Sequence, residues 1–352
     1  MNILGIDTSC DDTSAAVVAD GQKVLSSVVH SQVKLHHPFG GVVPELASRE
    51  HLKNLTPVVE QALSRARLDI KDIDGVAVTV GPGLVGALLM GLYYAKALAY
   101  VNRVPLIAIN HLEGHILSIF LEDQTPAFPF VVLTVSGGHT SLYYARGFGD
   151  YSQMGQTLDD AAGEAFDKVA KILGLGYPGG APIEELAKSG RQDAIAFPRA
   201  YLAPDSLDFS FSGLKTSVGL YIKKWRQMEG EKEGITMADI AASFQEAVIE
   251  VLTQKCMKAR ERTGVPSIVI AGGVACNTYL RERVRSMASD EGAAFYCPRP
   301  AYCTDNGAMI ALAGYHRIGH GDQAGMSIDV RSRFPIKDLE PLKGQDEKGH
   351  SD

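Results

Sequence analysis

The stretch His111-Leu112-Glu113-Gly114-His115 places two imidazole side chains four residues apart. On a helix this spacing puts both rings on one face, with their Cβ atoms about 5–6 Å apart. Neutral imidazole is the commonest protein ligand for transition metals such as zinc and iron. Two histidines at a surface or at a helix end show the same spacing by chance, so the pair alone leaves a metal site and a structural role equally open.

The surroundings of this pair favour the metal site. The apolar segment from Val104 to Ile109 predicts a strand directly before it, and open α/β sheets bind ligands where strands end. Asp305, at the start of the last predicted helix, is a candidate third ligand, because two imidazoles and one carboxylate suit Fe(II) or Zn(II). The alternative for Asp305 is a carboxylate that the helix dipole favours at a helix N-terminus.

Several other chemistries are excluded by their missing motifs. A zinc peptidase of the His-Glu-x-x-His type needs its glutamate one position before Glu113, and no Gly-Lys-Ser/Thr phosphate loop occurs. Gly81-x-Gly83-x-x-Gly86 imitates a dinucleotide fingerprint, but the segment about 20 residues on contains no acidic residue to bind the ribose. We therefore expect these glycines to allow close packing of a helix against a strand.

Composition sets the class of protein. A chain of 352 residues with 45% hydrophobic residues predicts two globular domains, and its net charge of −7 argues against a surface coated in basic residues for nucleic acid. Five cysteines without a CxxC spacing indicate reduced thiols, and no metal is expected at Cys297 and Cys303. No secretory signal or membrane-length apolar run is evident, which predicts a cytoplasmic protein.

The same strand pattern occurs in both halves of the chain. Three short strands are predicted between Ile3 and Val29 and three more between Phe130 and Gln156, and each set has a polar first turn, at 9–13 and at 136–139. Helices and further strands follow each set, which predicts a duplicated βββαβα unit. Two such lobes facing a cleft are the arrangement of the actin-like ATPase and sugar-kinase fold, an α/β architecture related to a duplicated ribonuclease H-like unit.

The predicted boundaries follow from this duplication. We expect an N-terminal lobe over 1–125, onto which the last helix in 304–330 packs back, and a C-terminal lobe over 126–303. The charged segment 336–352 is expected to be a frayed tail. The longer helices are predicted at 44–65 with a break at Pro57, 84–100, 159–173, 182–189, 212–228, 237–263, 278–287 and 304–318.

A set of short motifs is far more specific in combination than any one alone. In chain order they are Gly5-Ile6-Asp7-Thr8-Ser9-Cys10-Asp11, Gly41-Val42-Val43-Pro44-Glu45, Gly81-Pro82-Gly83-Leu84, His111-x-Glu113-Gly114-His115, Val135-Ser136-Gly137-Gly138-His139-Thr140, Asp159 to Lys168, Tyr177-Pro178-Gly179-Gly180, Phe209 to Thr216, Ala271 to Ala275 and Cys303-Thr304-Asp305-Asn306. Together they resemble the bacterial TsaD family of tRNA threonylcarbamoyladenosine (t6A) transferases, from Met1 to about residue 330.

This resemblance implies a site and a reaction. It implies a metal, Fe2+ before Zn2+, on His111, His115 and Asp305. It implies a nucleotide site, for threonylcarbamoyl-AMP and for AMP or ATP. The residues that line it are Thr134, Val135, Ser136, Gly137, Gly138, Asp167, Gly180, Glu184 and Asn277, although spacing alone favours a helix cap for Asn277. Asp11 is the candidate that orients or deprotonates the attacking adenosine amine. Asp7 and Asp12 stand where the family commonly has Glu, which shortens each side chain by one methylene.

The resemblance also implies partners. These are tRNA, an inactive TsaB-like paralogue, a small TsaE-like ATPase and a TsaC-type enzyme that supplies the adenylate. Two local basic stretches, at 223–226 and 281–285, are more typical of solvated surfaces than of nucleic-acid sites. Two rival functions are a metal-dependent glycopeptidase, which lacks its motif here, and a non-catalytic nucleotide-binding scaffold, which would not need the three metal ligands.

Overall fold

A computed structural model describes residues 1–227, 234–340 and 342. Its strands are β1 (Asn2–Asp7), β2 (Asp12–Ala19), β3 (Lys23–Ser31), β4 (Gly75–Gly81), β5 (Leu106–Asn110), β6 (Phe130–Val135), β7 (Thr140–Gly147), β8 (Asp150–Gln156), β9 (Ser267–Ala271) and β10 (Ala294–Tyr296). Its helices are α1 (Val33–His36), α2 (Pro44–Ala66), α3 (Val85–Asn102), α4 (His111–Leu117), α5 (Ala162–Leu173), α6 (Gly180–Ala187), α7 (Ser212–Gln227), α8 (Met237–Thr263), α9 (Thr278–Asp290), α10 (Pro300–Cys303) and α11 (Gly307–Gly319).

The strands form two sheets of the same topology. In the first, β1 pairs antiparallel with β2 and parallel with β4, and the order is β3-β2-β1-β4-β5. In the second, β6 pairs antiparallel with β7 and parallel with β9, and the order is β8-β7-β6-β9-β10. Each half therefore adds two parallel strands to a three-stranded meander, which confirms the predicted duplication and the two-lobed fold.

Two buried helices, α4 and α11, lie between the sheets. One hydrophobic cluster joins Ile3 of β1 and Phe130 of β6 through Ile116 of α4 and Leu312 of α11. The helix α11 packs on β1, β2 and β4 of the first sheet. The approach is close because Gly5 has no side chain: a Cβ there would lie 2.1 Å from the carbonyl oxygen of Gly307. These two helices carry or adjoin the candidate metal ligands.

Local signals explain where helices begin and end. The predicted bounds of α8 are confirmed, since Thr236 and Asp239 form a capping box at its start and Gly264 adopts φ +66° at its end. The expected break at Pro57 is wrong, because α2 continues through it while Leu55 and Val59 stay buried. A single helix stays intact here because burial of its apolar face supports it on both sides of the proline.

The other helices match their predicted positions with shifted ends. The helix α5 begins at Ala162 and not at Asp159, because the Asp159 carboxylate accepts hydrogen bonds from Ser210 and Phe211. The predicted helix end at Met228 lies outside the described residues. In the described part of the chain, none of the helices combines the length and apolar character that a membrane span requires.

The segment after Pro335 differs from the expected frayed tail. Residues Ile336–Asp338 form a 3-10 helix, and the side chains of Ile336 and Leu342 are 3% and 2% exposed. Leu342 lies against Gly149, where a Cβ would be 2.6 Å from its Cγ. The burial of these two apolar side chains holds the segment against the protein despite its charged composition. Residues 341 and 343–352 lie outside the described residues.

Candidate metal centre and substrate cleft

The histidine pair opens a short buried helix at the end of a strand. Asn110 ends β5 and caps α4, since its side-chain oxygen accepts a hydrogen bond of 2.8 Å from the backbone N–H of Leu112. The rings of His111 and His115 have centroids 4.7 Å apart and lie nearly perpendicular, and both residues are almost fully buried. The predicted helical spacing therefore places both imidazoles on the same side of α4.

Asp305 reaches this pair from the other end of the chain. Its Oδ1 atom lies 3.1 Å from Nε2 of His115 and 3.5 Å from Nε2 of His111. The three candidate ligand atoms all lie within 4.8 Å of one another, so the trio could hold a metal ion. Ligands about 2 Å from a common ion are separated by about 3–3.5 Å, which matches these contacts.

The backbone around Asp305 is held by its neighbour Asn306. The Asn306 side chain caps α11 by accepting a hydrogen bond from Met309 N–H at 2.9 Å, and it donates to the carbonyl oxygen of Thr304 at 2.8 Å. Asp305 is therefore positioned by α11, and His111 and His115 by α4. Because α4 and α11 pack on each other, the three ligands belong to one rigid unit.

The charge balance of the trio calls for a cation. Burial alone would lower the pKa of His111, but the carboxylates of Asp305 and Asp7 raise it to about 10. Burial works the other way on Asp305, yet the two imidazoles hold the pKa of its carboxyl well below the usual range. Without a metal, the site retains a proton on an imidazole, which a metal cation would replace.

Asp7 is a neighbour of the trio that the sequence analysis did not place there. Its side chain is fully buried, and Oδ1 lies 3.5 Å from Nδ1 of His111. Histidine ligands commonly have a carboxylate on the ring nitrogen that faces away from the metal. A signal was available, because Asp7 ends β1 and Asn110 ends β5, at the same edge of one sheet.

A cavity of about 780 Å³ opens beside the trio, between the two lobes. Its wall is formed from the first lobe by Ser9 to Asp12, Gly40 to Val42, Pro82 to Leu84 and His111, and from the remaining chain by Ser136 to His139, Glu164, Asp167, Lys168, Lys171, Tyr177, Gly273, Thr304 and Asp305. The polar first turns of the two predicted meanders, remote in sequence, thus face the same cleft.

The acidic turn of the first lobe carries perturbed carboxyls. Burial is the main cause that raises the pKa of Asp11, and burial together with Asp11 and Asp305 raises that of Asp12 to about 7. One side-chain oxygen of Asp12 is buried without a hydrogen-bond partner among the described residues. Perturbed carboxyls that line a cleft are typical of a functional site.

The turn of the second lobe presents bare backbone to the cleft. Gly137 and Gly138 have nothing within 4 Å of an added Cβ, and their N–H groups donate to no partner among the described residues. Behind the turn, Gly163 of α5 packs closely, since its Cβ would lie 2.5 Å from the carbonyl oxygen of Ser136. Successive free amides of this kind suit an anion or a polarised oxygen.

The remaining substrate residues expected from the sequence lie in three places. Asp167 lines the cleft, and its Oδ1 accepts a hydrogen bond of 2.6 Å from Gly179 N–H. Thr134 and Val135 are buried in β6. The cleft wall does not include the last three residues of the set, Gly180, Glu184 and Asn277.

Gly180 begins α6, and Glu184 and Asn277 lie where α6 meets α9. Glu184 accepts hydrogen bonds from the backbone N–H, at 2.7 Å, and from the hydroxyl of Thr278. Asn277 caps α9 by accepting from Leu280 N–H at 2.9 Å, and its amide donates to Gln245. The helix cap favoured by the spacing around Asn277 is therefore present.

His139 is a cleft residue that the sequence analysis missed. It lies in the cleft wall, and burial, followed by the neighbouring His111 and His115, lowers its pKa to about 4. Its place directly after Gly138 in the polar turn was the signal that could have identified it. An imidazole that stays neutral beside the candidate metal ligands can accept or donate one hydrogen bond toward a bound molecule.

Similarity to known proteins agrees with this geometry. The family model for TsaD, tRNA N6-adenosine threonylcarbamoyltransferase, matches residues 23–312. A relative of that name from Syntrophus aciditrophicus is 50% identical over 336 residues, covering 96% of this chain and 98% of its own. Another from Desulfitobacterium hafniense is 54% identical over 330 residues, covering 94% and 96%.

Solved structures of lower identity show the same fold. HypF from T. kodakarensis superposes with a TM-score of 0.59 at 14% identity, covering 90% of this chain and 48% of its own. Component A of the (R)-2-hydroxyglutaryl-CoA dehydratase of Acidaminococcus fermentans superposes with a TM-score of 0.53 at 16% identity, covering 91% and 99%. These likenesses confirm the actin-like two-lobed fold. With half-identical relatives along nearly its whole length, the chain belongs to the TsaD family of tRNA N6-adenosine threonylcarbamoyltransferases.

Proposed function

We propose that this protein transfers the threonylcarbamoyl group from threonylcarbamoyl-AMP to the exocyclic amine of the adenosine 3′ of the anticodon in ANN-decoding tRNAs. The observation that carries the proposal is the cleft itself. Its walls bring a candidate metal centre, a turn of free backbone amides and the carboxyl of Asp11 into one cavity of about 780 Å³. The relatives' shared name states the transferred threonylcarbamoyl group and its acceptor, the N6 of an adenosine in tRNA.

The donor set fits a divalent metal. His111, His115 and Asp305 would hold it, and two imidazoles with one carboxylate favour Fe2+, with Zn2+ as the second choice. Both Nδ1 atoms of the histidines are buried without a hydrogen-bond partner among the described residues, whereas both Nε2 atoms face Asp305 and are therefore the nitrogens that would bind the metal. When bound, the metal would supply Lewis-acid polarisation of a carbamoyl or phosphoryl oxygen.

Residues of the chain itself bind the substrate and accept the proton. The free backbone amides of Gly137 and Gly138 hold the acyl-phosphate end of the substrate and stabilise negative charge that develops on its oxygen, while the Ser136 N–H closes the turn by donating to the carbonyl oxygen of His139. Asp11, whose pKa is raised by burial, orients the adenosine amine and accepts its proton. The amine attacks the carbamoyl carbon, the bond to the phosphate oxygen breaks, and AMP leaves.

The nucleotide end of the substrate extends toward the second lobe. Asp167 and Gly273 stand in the cleft wall on this side, and Gly273 begins the 3-10 turn that leads to Asn277. A nucleoside that follows this turn reaches Asn277, Gly180 and Glu184, where α6 meets α9. Thr134 and Val135 act from β6 by supporting the glycine turn that follows them.

The tRNA is bound with the help of partner proteins. The net charge of −7 supplies little attraction for a phosphate backbone, so a TsaB-like paralogue and a TsaE-like ATPase would contribute to tRNA binding or turnover. A TsaC-type enzyme would supply the unstable adenylate.

A direct transfer assay tests the proposal. The purified chain with its partners receives threonylcarbamoyl-AMP and an unmodified ANN-decoding tRNA, and the digested nucleosides are examined by mass spectrometry. We expect one adenosine to gain the mass of a threonylcarbamoyl group, and a tRNA with guanosine at that position serves as control. Unmodified adenosine in the presence of active partners would refute the proposal.

The rival peptidase function would need Glu113, the acidic residue next to the missing motif position, to act as a base. Glu113 is 1% exposed and is ion-paired with Arg317, so it cannot face a substrate. A peptidase assay with and without a chelator gives the independent check, and we expect no cleavage in either.

A further inference from the structure

Three of the five cysteines lie in the segments that follow β9 and β10, shortly before Asp305 in the chain. Cys276 ends the 3-10 turn after β9, Cys297 follows β10, and Cys303 ends α10. The Cys297 thiol lies 3.8 Å from the carbonyl oxygen of Ala275, the residue next to Cys276. Cys303 is fully buried, whereas the other two are partly exposed. We call these three residues the cysteine cluster.

Cys297 and Cys303 contact the same backbone atom. Their sulfur atoms lie 3.5 Å and 3.2 Å from the carbonyl oxygen of Pro298, so the two thiols flank the same atom. Only five residues separate them along the chain. A bond between them would therefore close a small loop without moving either lobe.

Arg281 gives the cluster its chemical character. Its Nη2 lies 3.3 Å from the sulfur of Cys303 and also donates to the carbonyl oxygen of Pro298 at 3.0 Å, and its Nε donates to the carbonyl oxygen of Ala275. A fixed positive charge repels a metal cation and stabilises a thiolate, so Arg281 favours oxidation of Cys297 over metal binding. A hydrogen bond from Cys303, aided by Arg281, lowers the pKa of the Cys297 thiol against the effect of burial.

We infer that Cys297 and Cys303 form a peroxide-sensitive thiol pair whose oxidation to a disulfide is transmitted to Asp305. The Cys297 thiolate attacks one oxygen of hydrogen peroxide and breaks the O–O bond, which gives a sulfenic acid and, after protonation, one water. The Cys303 sulfur then attacks the Cys297 sulfur and releases a second water. Two thiols are oxidised and one peroxide is reduced, with no further reactant.

The link to the metal centre is short. Cys303 is followed by Thr304 and Asp305, and the carbonyl of Thr304 accepts a hydrogen bond from Asn306. A disulfide draws the Cys303 sulfur from Arg281 toward Cys297 and pulls on the backbone that sets the Asp305 carboxylate. This second step rests on the proposed metal site, and its expected result is weaker metal binding.

Peptide mapping of the full-length, metal-loaded chain tests the first step. Reduced protein is treated with one equivalent of hydrogen peroxide, free thiols are alkylated, and tryptic peptides are analysed without reduction. Cys297 and Cys303 fall in one peptide between Arg285 and Arg317, because trypsin does not cleave before Pro300. We expect this peptide to lose two hydrogen atoms and to resist alkylation until a reductant is added.

Other products would overturn the inference. A link to Cys276 would join two different peptides, and a sulfinic acid on Cys297 would add oxygen without a bond. Cys297→Ser, at a partly exposed position, should abolish the disulfide, whereas the matched variant Cys276→Ser should retain it. Disulfide in the Cys297→Ser variant at the wild-type level would equally contradict the assignment.

Metal analysis of the same samples tests the second step. We expect metal content to fall in proportion to the disulfide formed in the wild type and in Cys276→Ser, and to stay constant in Cys297→Ser. A full disulfide with unchanged metal content would refute the coupling. Both readouts are independent of tRNA modification, so a failure of the proposed function in the reduced protein is recognised separately.

Discussion

Glu113 and Arg317 form a buried, two-pronged ion pair between the helices α4 and α11. Arg317 Nε lies 2.7 Å from Glu113 Oε2, and Nη2 lies 3.1 Å from Oε1, with both residues at most 2% exposed. The pair joins the helix that carries His111 and His115 to the helix that begins just after Asp305. It therefore fixes the spacing of the candidate ligands without facing the cleft.

Removing one member of this pair should destabilise the fold. In Glu113→Gln the Arg317 charge stays buried and keeps only Asp322 at 2.6 Å as an ionic partner, so we expect a loss of about 3 kcal/mol in the free energy of unfolding. Urea denaturation of metal-free protein measures this. The matched control Glu45→Gln breaks an exposed pair with Arg49 and should cost at most about 1 kcal/mol. Equal losses in the two variants would contradict the role assigned to Glu113.

Loss of a candidate ligand should remove the metal. His115→Ala deletes the Nε2 atom closest to Asp305. We expect metal affinity to fall by more than about 100-fold, because the loss of a residue that only hydrogen-bonds to a ligand already costs up to about 100-fold. Equilibrium dialysis with Fe2+ and with Zn2+ measures this affinity. The control His30→Ala changes an exposed histidine on β3 and should bind normally. Normal binding in His115→Ala would remove the trio from consideration.

Asp7 should tune the metal rather than bind it. Asp7→Asn keeps the shape but removes the negative charge beside His111 Nδ1, so we expect about 10–100-fold weaker metal binding with the fold retained. Dialysis and circular dichroism together check this. An unchanged affinity would mean that the 3.5 Å contact has no effect on the ligand.

Asp11 should matter for transfer but not for metal binding. Asp11→Asn keeps the side-chain volume and removes the proton acceptor, so we expect the transfer rate to fall by about 10²–10⁴-fold with metal content unchanged. Single-turnover assays with saturating adenylate measure the rate. The exposed Asp193→Asn is the control. Wild-type rates in Asp11→Asn would exclude this residue from the chemistry.

Asp12 should make stability depend on pH in metal-free protein. Its pKa is about 7 in the fold against about 4 when unfolded, so between these values the folded state retains a proton that the unfolded state has released. The free energy of unfolding then falls as pH rises from 4 to 7, by up to about 1.4 kcal/mol per pH unit from this group.

Denaturation of wild type and Asp12→Asn across pH checks this sign. The two should be similar below about pH 3, where Asp12 is protonated in both states. At pH 8 the variant should be the more stable, since it has no buried charge. A difference that stays constant across this range would show that Asp12 is not the titrating group.

The sequence by itself determined the features that depend on local chemistry. Strand periodicity and polar turns predicted both meanders, and helical periodicity predicted α8 from Met237 to Thr263. The spacing of His111 and His115 predicted their shared helix face, because a helix has a fixed period. The motif set predicted the family, which the relatives confirm.

Only the tertiary structure decided which distant residues meet. It brings Asp305 against a histidine pair 190 residues away, adds Asp7 and His139, and places Glu184 and Asn277 between α6 and α9 instead of in the cleft wall. It also gathers three cysteines whose spacing carried no pattern. The physical reason is that such contacts depend on how two sheets and the helices between them pack, and packing depends on the whole chain at once, not on any local stretch.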